Sequence, residues 1–141
     1  MRIGKAAALS GVSAKLIRYY EEAGLLSPAG RDANGYRNFD ERNVHELRFI
    51  KRARSLGFPI KQIDELLELW RDKRRPSRKV RTLAEIHQRA IVARIEAHRS
   101  ITKVLGRLIA ACSGDDRPDC PILDELSSER VTGSRPSVSG L

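Results

Sequence analysis

Apolar residues recur along the chain with helical steps, and short polar breaks interrupt them. Ile3, Ala6, Ala7 and Leu9 fit a short helix that stops at Gly11-Val12-Ser13. Ser13 is placed to cap a second helix, Ala14 to Ala23, because its hydroxyl can accept a free amide of the first turn. Gly24 then supplies the left-handed residue that ends helices. Two short helices joined by a tight glycine-containing turn are a helix-turn-helix. Leu16 and Tyr20, four residues apart, are expected to pack inward, while Lys15, Arg18 and Tyr19 project outward. The stretch LLSPAGRDANGYRNF follows, and its Asn34-Gly35 pair favours a tight hairpin turn between Arg31 and Tyr36–Phe39. Asp40 caps a third helix, Glu41 to about Leu56, with Val44, Leu47, Phe49, Ile50 and Ala53 at helical spacing. Gly57 stops it and Pro59 restarts a fourth, in which Ile60, Ile63, Leu66, Leu67 and Trp70 form a buried stripe.

The charged connector RDKRR ends at Pro76, and from Val80 to about Cys112 no proline intervenes. At about 1.5 Å per residue that is a helix of roughly 50 Å. Val80, Leu83, Ile86, Ala90, Ala93, Ala97, Ile101, Val104, Leu108 and Ala111 mark a stripe with steps of three and four. A small head cannot cover so long a stripe, so a second copy of the chain is the expected partner; packing back on its own domain is the alternative. After Cys112 comes a polar loop to Cys120 and a short amphipathic helix turn. From residue 129 on, the chain is rich in Ser, Gly and Pro and reads as a disordered tail. The expected organisation is a winged helix-turn-helix domain over 1–75, a dimerisation helix over 76–111, a metal-binding loop and short helix over 112–128, and the tail 129–141. The fold class is mainly α with a small β-hairpin wing.

Charge points to the partner. The 141 residues hold 27 Lys and Arg against 18 Asp and Glu, a net +9. Residues 1–75 carry 16 basic and 10 acidic groups, so most of the excess lies in the N-terminal half. That favours a phosphate backbone, although charge alone fits an ordinary solvated surface equally well. The helix-turn-helix decides between them, because its second helix enters the major groove. Lys15 and Arg18 are the candidate base readers or phosphate clamps, with Tyr19 and Tyr20 beside them. Arg31, Tyr36 and Arg37 would reach the flanking backbone as a wing, and Arg52 and Arg54 would add phosphate contacts. Any one of these arginines alone is more simply a surface charge; the joint pattern is far more specific. No apolar run is long enough to span a bilayer, and the N-terminus is too weakly apolar for a signal peptide. The expectation is a cytoplasmic protein with no membrane partner. No Cys-His-Asn/Asp constellation or glycine-rich phosphate loop supports an enzyme.

The stretches IRYYEEAGLLSP, NGYRNFD and RFIKRARSLGFPIKQIDELL resemble the MerR family of transcription regulators. The resemblance runs from about Arg2 to Leu126. It implies a winged helix-turn-helix head, a long antiparallel dimerisation helix and a C-terminal effector segment. It also implies a homodimer on promoter DNA that shares the site with RNA polymerase. On this view, effector binding bends and untwists an overlong promoter spacer, at the energetic cost of deforming DNA.

The effector question rests on two cysteines. Cys112 and Cys120 flank a seven-residue loop. A disulfide, a pair of small buried hydrophobes and a metal site are all open to such a pair; a reduced compartment disfavours the first and the polar loop the second. Two soft thiolates suit Cu(I) and similar univalent ions, whereas zinc normally takes four ligands, or three and water. An iron–sulfur cluster would need four thiolates. The segment ACSGDDRPDCPILDEL resembles the metal loop of the copper-efflux regulator branch. That resemblance implies Cu(I), with Ag(I) or Au(I), held by Cys112 and Cys120. Branches that sense mercury, lead or zinc carry a third cysteine where this chain has Ser77, which makes Ser77 the metal-selectivity position. Lys79 or Arg81 would offset the residual negative charge. Some members carry further Cys and His in the tail; VTGSRPSVSGL has none. The expected function is a Cu(I)-responsive dimeric activator of copper efflux or detoxification genes. The alternatives are a sensor of Ag(I), Au(I) or Hg(II), or, from a different class, a thiol metal carrier.

Overall fold

The structure is a computed structural model and describes residues 1–128. The expected disordered tail, 129–141, lies outside the described residues. Two compact units divide the chain, Met1–His87 and Gln88 onward. In the first unit, α1 (Ile3–Ser10) and α2 (Ala14–Glu22) flank a turn in which Gly11 adopts φ +75°. The Ser13 hydroxyl accepts from the Leu16 amide at 3.2 Å, the capping bond read from the sequence. α3 (Glu41–Ser55) opens with a full capping box: Asp40 accepts from the Asn43 amide, and the Asn43 side chain accepts from the Asp40 amide. α4 (Ile60–Arg71) follows after Gly57, and α1 packs on both α2 and α3.

The core of this unit gathers Ala6, Ile17, Tyr20, Leu25, Phe39, Leu47, Ile50, Ile63 and Leu67. Two facing expectations are corrected here. The inward pair on α2 is Ile17 with Tyr20, and Leu16 is 44% exposed. Residues three apart share a helical face as well as those four apart, and at Tyr20 the i−3 neighbour wins. On α4 the buried stripe stops at Leu67. Trp70 stays 40% exposed because its ring lies flat on Phe49, 4.9 Å between centroids at 17°, leaving one face open.

The wing is a two-stranded antiparallel hairpin, β1 (Gly30–Arg31) and β2 (Arg37–Asn38), with Gly30 opposite Asn38 and Arg31 opposite Arg37. Its turn is longer than a two-residue Asn-Gly turn. The Asp32 amide donates to the Tyr36 carbonyl at 2.9 Å, and the Gly35 amide to the Asp32 carbonyl at 3.0 Å. Gly35 takes φ +82°, which suits a three-residue loop with a left-handed glycine. The Asp32 carboxylate accepts from the amides of Asn34 and Tyr36 and fixes the bend. Met1 joins the wing edge: the Phe39 amide donates to its carbonyl at 2.7 Å.

α5 (Ser77–Ala111) starts directly after Pro76, one turn earlier than the Val80 read from the apolar pattern. Its opening turns group with the first compact unit, which runs to His87. In the second unit α5 continues to Ala111, and a loop leads to α6 (Pro121–Ser127). Along α5 beyond Gln88, Val92, Ile95, Ile101, Val104, Leu105 and Ile109 are 41–62% exposed.

Candidate DNA interface and metal-binding loop

The two arms of the wing place Arg31 directly opposite Arg37, so both side chains leave the hairpin on one face. Like charges so placed repel, and each guanidinium is held by its own acceptor. Arg31 donates to the Gly35 carbonyl at 2.7 Å, and Arg37 Nε lies 2.9 Å from Glu21 Oε1 on α2. The Glu21 carboxylate is largely buried, and among the described residues its Oε2 has no partner. Tyr36, 55% exposed at the tip, lies under the Arg2 guanidinium, 4.3 Å from the ring centre.

These groups line one cleft of about 640 Å³ between the start of α1, α2 and the wing. Arg2, Lys5, Arg18, Arg31 and Arg37 surround it, against Glu21 and Glu22. Five cations against two carboxylates make a positive concavity that fits a phosphate backbone. Of the residues singled out from the sequence, Arg18, Arg31, Tyr36 and Arg37 meet there. Lys15 and Tyr19 are exposed on α2, and Arg54 is exposed on α3, but none of the three lines this cleft. Tyr20 is a core residue, 5% exposed, with its ring edge-on to Tyr19 at 5.7 Å, and does not line this cleft. Arg2, Lys5 and Glu21 were missed. Their only sequence signal is that they flank the helix-turn-helix, which says nothing about the direction they point.

Two polar anchors hold this surface in place. Arg48 on α3 donates from Nε and a terminal nitrogen to the Leu9 carbonyl, at 3.1 and 2.8 Å, and so ties down the end of α1. Glu46, only 1% exposed, accepts from the Ser27 amide at 3.1 Å and from the Arg71 guanidinium. That joins the chain leaving α2 to both α3 and α4.

The second unit contains both cysteines. Each is a free thiol of intermediate burial. Cys112 follows the last residue of α5, and its amide donates to the Leu108 and Ile109 carbonyls at 3.1 Å. Cys120 is the N-cap position of α6, with Pro121 behind it. Gly114 turns the intervening loop at φ +66°. Arg117 braces it, donating from Nε to Asp115 at 2.8 Å and from a terminal nitrogen to the Ser113 hydroxyl at 3.2 Å. The Arg117 side chain holds the exposed Asp115 carboxyl below the usual carboxylate range. Among the described residues no group of three or more His, Cys, Asp or Glu is gathered as a metal cluster. Cys112 and Cys120 are the two cysteines of the chain, and both belong to this loop and its edges. Ser77 opens α5 in the first unit, exposed, beside Lys73, Val80 and Arg81. No helix among the described residues is long and apolar enough to cross a membrane.

Comparison with known proteins agrees with this architecture. The profile of MerR HTH family regulatory proteins matches residues 1–70, and that described as MerR, DNA binding matches residues 44–108. The HTH-type transcriptional regulator HmrR of Sinorhizobium medicae is 50% identical over 127 residues, 90% of this chain and 86% of that protein. The HTH-type transcriptional regulator CueR of Escherichia coli O6:H1 is 40% identical over 129 residues, 90% of this chain and 94% of its own. Among solved structures, PbrR691 from Ralstonia metallidurans CH34, crystallised in complex with lead(II), superposes with a TM-score of 0.81 at 27% identity. That match covers 90% of this chain and 99% of that one.

Proposed function

The chain belongs to the MerR family of helix-turn-helix transcription regulators, not to an enzyme family, and on that premise we propose that it is a Cu(I)-responsive activator of copper efflux or detoxification genes. It acts in the cytoplasm as a homodimer on promoter DNA. Two relatives, 49% and 44% identical, are named heavy metal-dependent transcription regulators of Rhizobium meliloti, so a metal effector is the coarse part of this reading. The observation that carries the finer part is the donor count: two half-buried free thiols, Cys112 and Cys120, on one braced loop, with a serine at position 77.

In this reading Cys112 and Cys120 hold the ion as thiolates, and a univalent cation leaves the pair with a net charge near −1. Ser77 withholds the third sulfur that a divalent ion would need. The exposed apolar residues of α5 are covered by the antiparallel helix of a second copy. Arg18 and the wing residues Arg31, Tyr36 and Arg37 grip the backbone of the promoter, with Lys15, Tyr19 and Arg54 as outer contacts. Effector binding then distorts the spacer so that RNA polymerase can use the promoter. Ag(I) and Au(I) share the donor preference of Cu(I). The lead(II) complex of PbrR691 supports the competing reading, a sensor of another thiophilic ion such as Hg(II), with the same promoter mechanism.

In vitro transcription from the chain's own promoter tests the proposal, with Cu(I), Ag(I), Au(I), Zn(II) and Hg(II) supplied separately. Induction by the univalent ions, lost in Cys112→Ser and in Cys120→Ser while promoter binding persists, is the expected result. Equal induction by Zn(II), or a normal copper response in either variant, would overturn it. A thiol carrier would protect no promoter site in footprinting.

A further inference from the structure

α5 is a 35-residue helix, and His87 is its one buried residue, 6% exposed. Ile86, in the apolar stripe expected to meet a second copy, is 41% exposed, while its polar neighbour His87 turns inward onto the head. Nε2 of His87 lies 2.8 Å from the Leu56 carbonyl oxygen. A carbonyl only accepts, so this nitrogen carries the proton. Leu56 is the C-cap of α3, where the carbonyls lack partners within the helix. The imidazole also stacks on Phe58, 4.1 Å between centroids at 29°. Between them Gly57 takes φ +83°, and a Cβ there would sit 3.6 Å from Nε2. Phe58 packs against the core of the first unit. One histidine thus touches both sides of the turn that joins α3 to α4.

Position matters as much as contact. The only covalent link from α4 to α5 is the short connector Asp72–Pro76. A rod joined at one point can pivot there and then passes on little torque. His87 lies ten residues beyond Ser77. At 1.5 Å per residue that is about 15 Å along the helix. Two attachments so separated make the opening of α5 a lever fixed to the head. His87 is also the last residue of the first compact unit, where α5 runs on toward the cysteine loop.

We propose that His87 is a positioning residue that clamps the opening turns of α5 to the α3–α4 turn, so that a movement of α5 is delivered to the DNA-binding head rather than absorbed at the connector. The coupling to a metal signal rests on the function proposed above; the clamp itself does not.

The test has two arms in the full-length chain. His87→Leu fills much the same space without a donor, and His87→Gln restores a donor at similar reach. In the first arm, nitroxides at Lys61→Cys and Ala84→Cys, both exposed and both in the first unit, report on the head and the opening turns of α5. The background is Cys112→Ser/Cys120→Ser, and labelled chain is diluted with unlabelled so that only intrachain pairs are read. The distance distribution is narrow with His87, broad with Leu and narrow again with Gln; a distribution as narrow with Leu as with His overturns the clamp. The second arm keeps the native cysteines and measures promoter affinity and Cu(I)-induced transcription. His87→Leu binds the promoter within about twofold of wild type but loses about fivefold in induction, the value of one neutral hydrogen bond, and His87→Gln recovers it. Undiminished induction in His87→Leu, or a parallel loss of affinity and induction, overturns the coupling. If the wild type fails to respond to Cu(I), the copper reading falls while the spin-label arm still decides the clamp.

Discussion

Replacing Arg71 by Met isolates the buried network that seats the recognition helix. The substitution keeps an apolar stem and deletes the charge. Left behind are the Glu46 carboxylate, 1% exposed, and the Leu25 carbonyl, which accepts from Arg71 at 2.6 Å. Arg42 cannot replace the lost partner: its Nε is 3.9 Å from the other Glu46 oxygen, on a side chain 65% exposed. Removing one partner of a fully buried ion pair costs about 3–5 kcal/mol. The Arg71 side chain is 24% exposed, so water recovers part of that, and about 2–3 kcal/mol is the expected loss. Urea unfolding at fixed protomer concentration measures it, with an unchanged m-value required for the comparison. Glu46→Gln in the same background should recover part of the loss, since no unpaired charge remains. A loss below about 0.5 kcal/mol would refute the reasoning, because it would place the pair among solvated surface bridges. Promoter affinity should fall along with stability, because Glu46 also holds the Ser27 amide at the exit of α2.

Arg18→Ala should weaken promoter binding and reduce the slope of log affinity against log salt by about one phosphate contact; an unchanged affinity across the salt series would remove Arg18 from the interface. Gly11→Ala should cost about 1–2 kcal/mol in urea unfolding, since φ is +75° and the new Cβ would meet the Lys51 ammonium, whose flexible side chain can shift. Arg117→Ala should raise the Asp115 carboxyl toward its ordinary value in an NMR titration. Because that group titrates lower in the folded chain, its pairing supports the loop at pH above the unfolded value and is lost as pH falls through the folded one.

The features legible in the sequence were those set by local rules. Ser13 and Asp40 as caps and Gly11 as a turn are decided within a few residues, and so are the wing's approximate limits. Which of Leu16 and Ile17 faces the core was not legible, because both lie a helical step from Tyr20. Trp70 fits the apolar stripe of α4 by spacing, yet its burial is set by a ring on α3. Glu46, Arg71 and His87 read as polar surface in isolation. Their partners are main-chain and charged groups 19 to 46 residues away, brought near only by the packing of several helices. The same holds for Arg2 and Lys5, which enter the basic cleft through the pairing of Met1 with the wing edge. The cysteine pair was legible as a count and a spacing, and the fold adds the bracing by Arg117 and the half-buried state of both thiols.

The number of sulfur donors around a bound ion tests the central claim most directly. An X-ray absorption spectrum of the protein loaded with one Cu(I) per chain should give two sulfur neighbours and no nitrogen or oxygen in the inner shell. The signal should vanish in Cys112→Ser/Cys120→Ser. Three or more donors, or an unaltered spectrum in that variant, would contradict a site built from Cys112 and Cys120 alone.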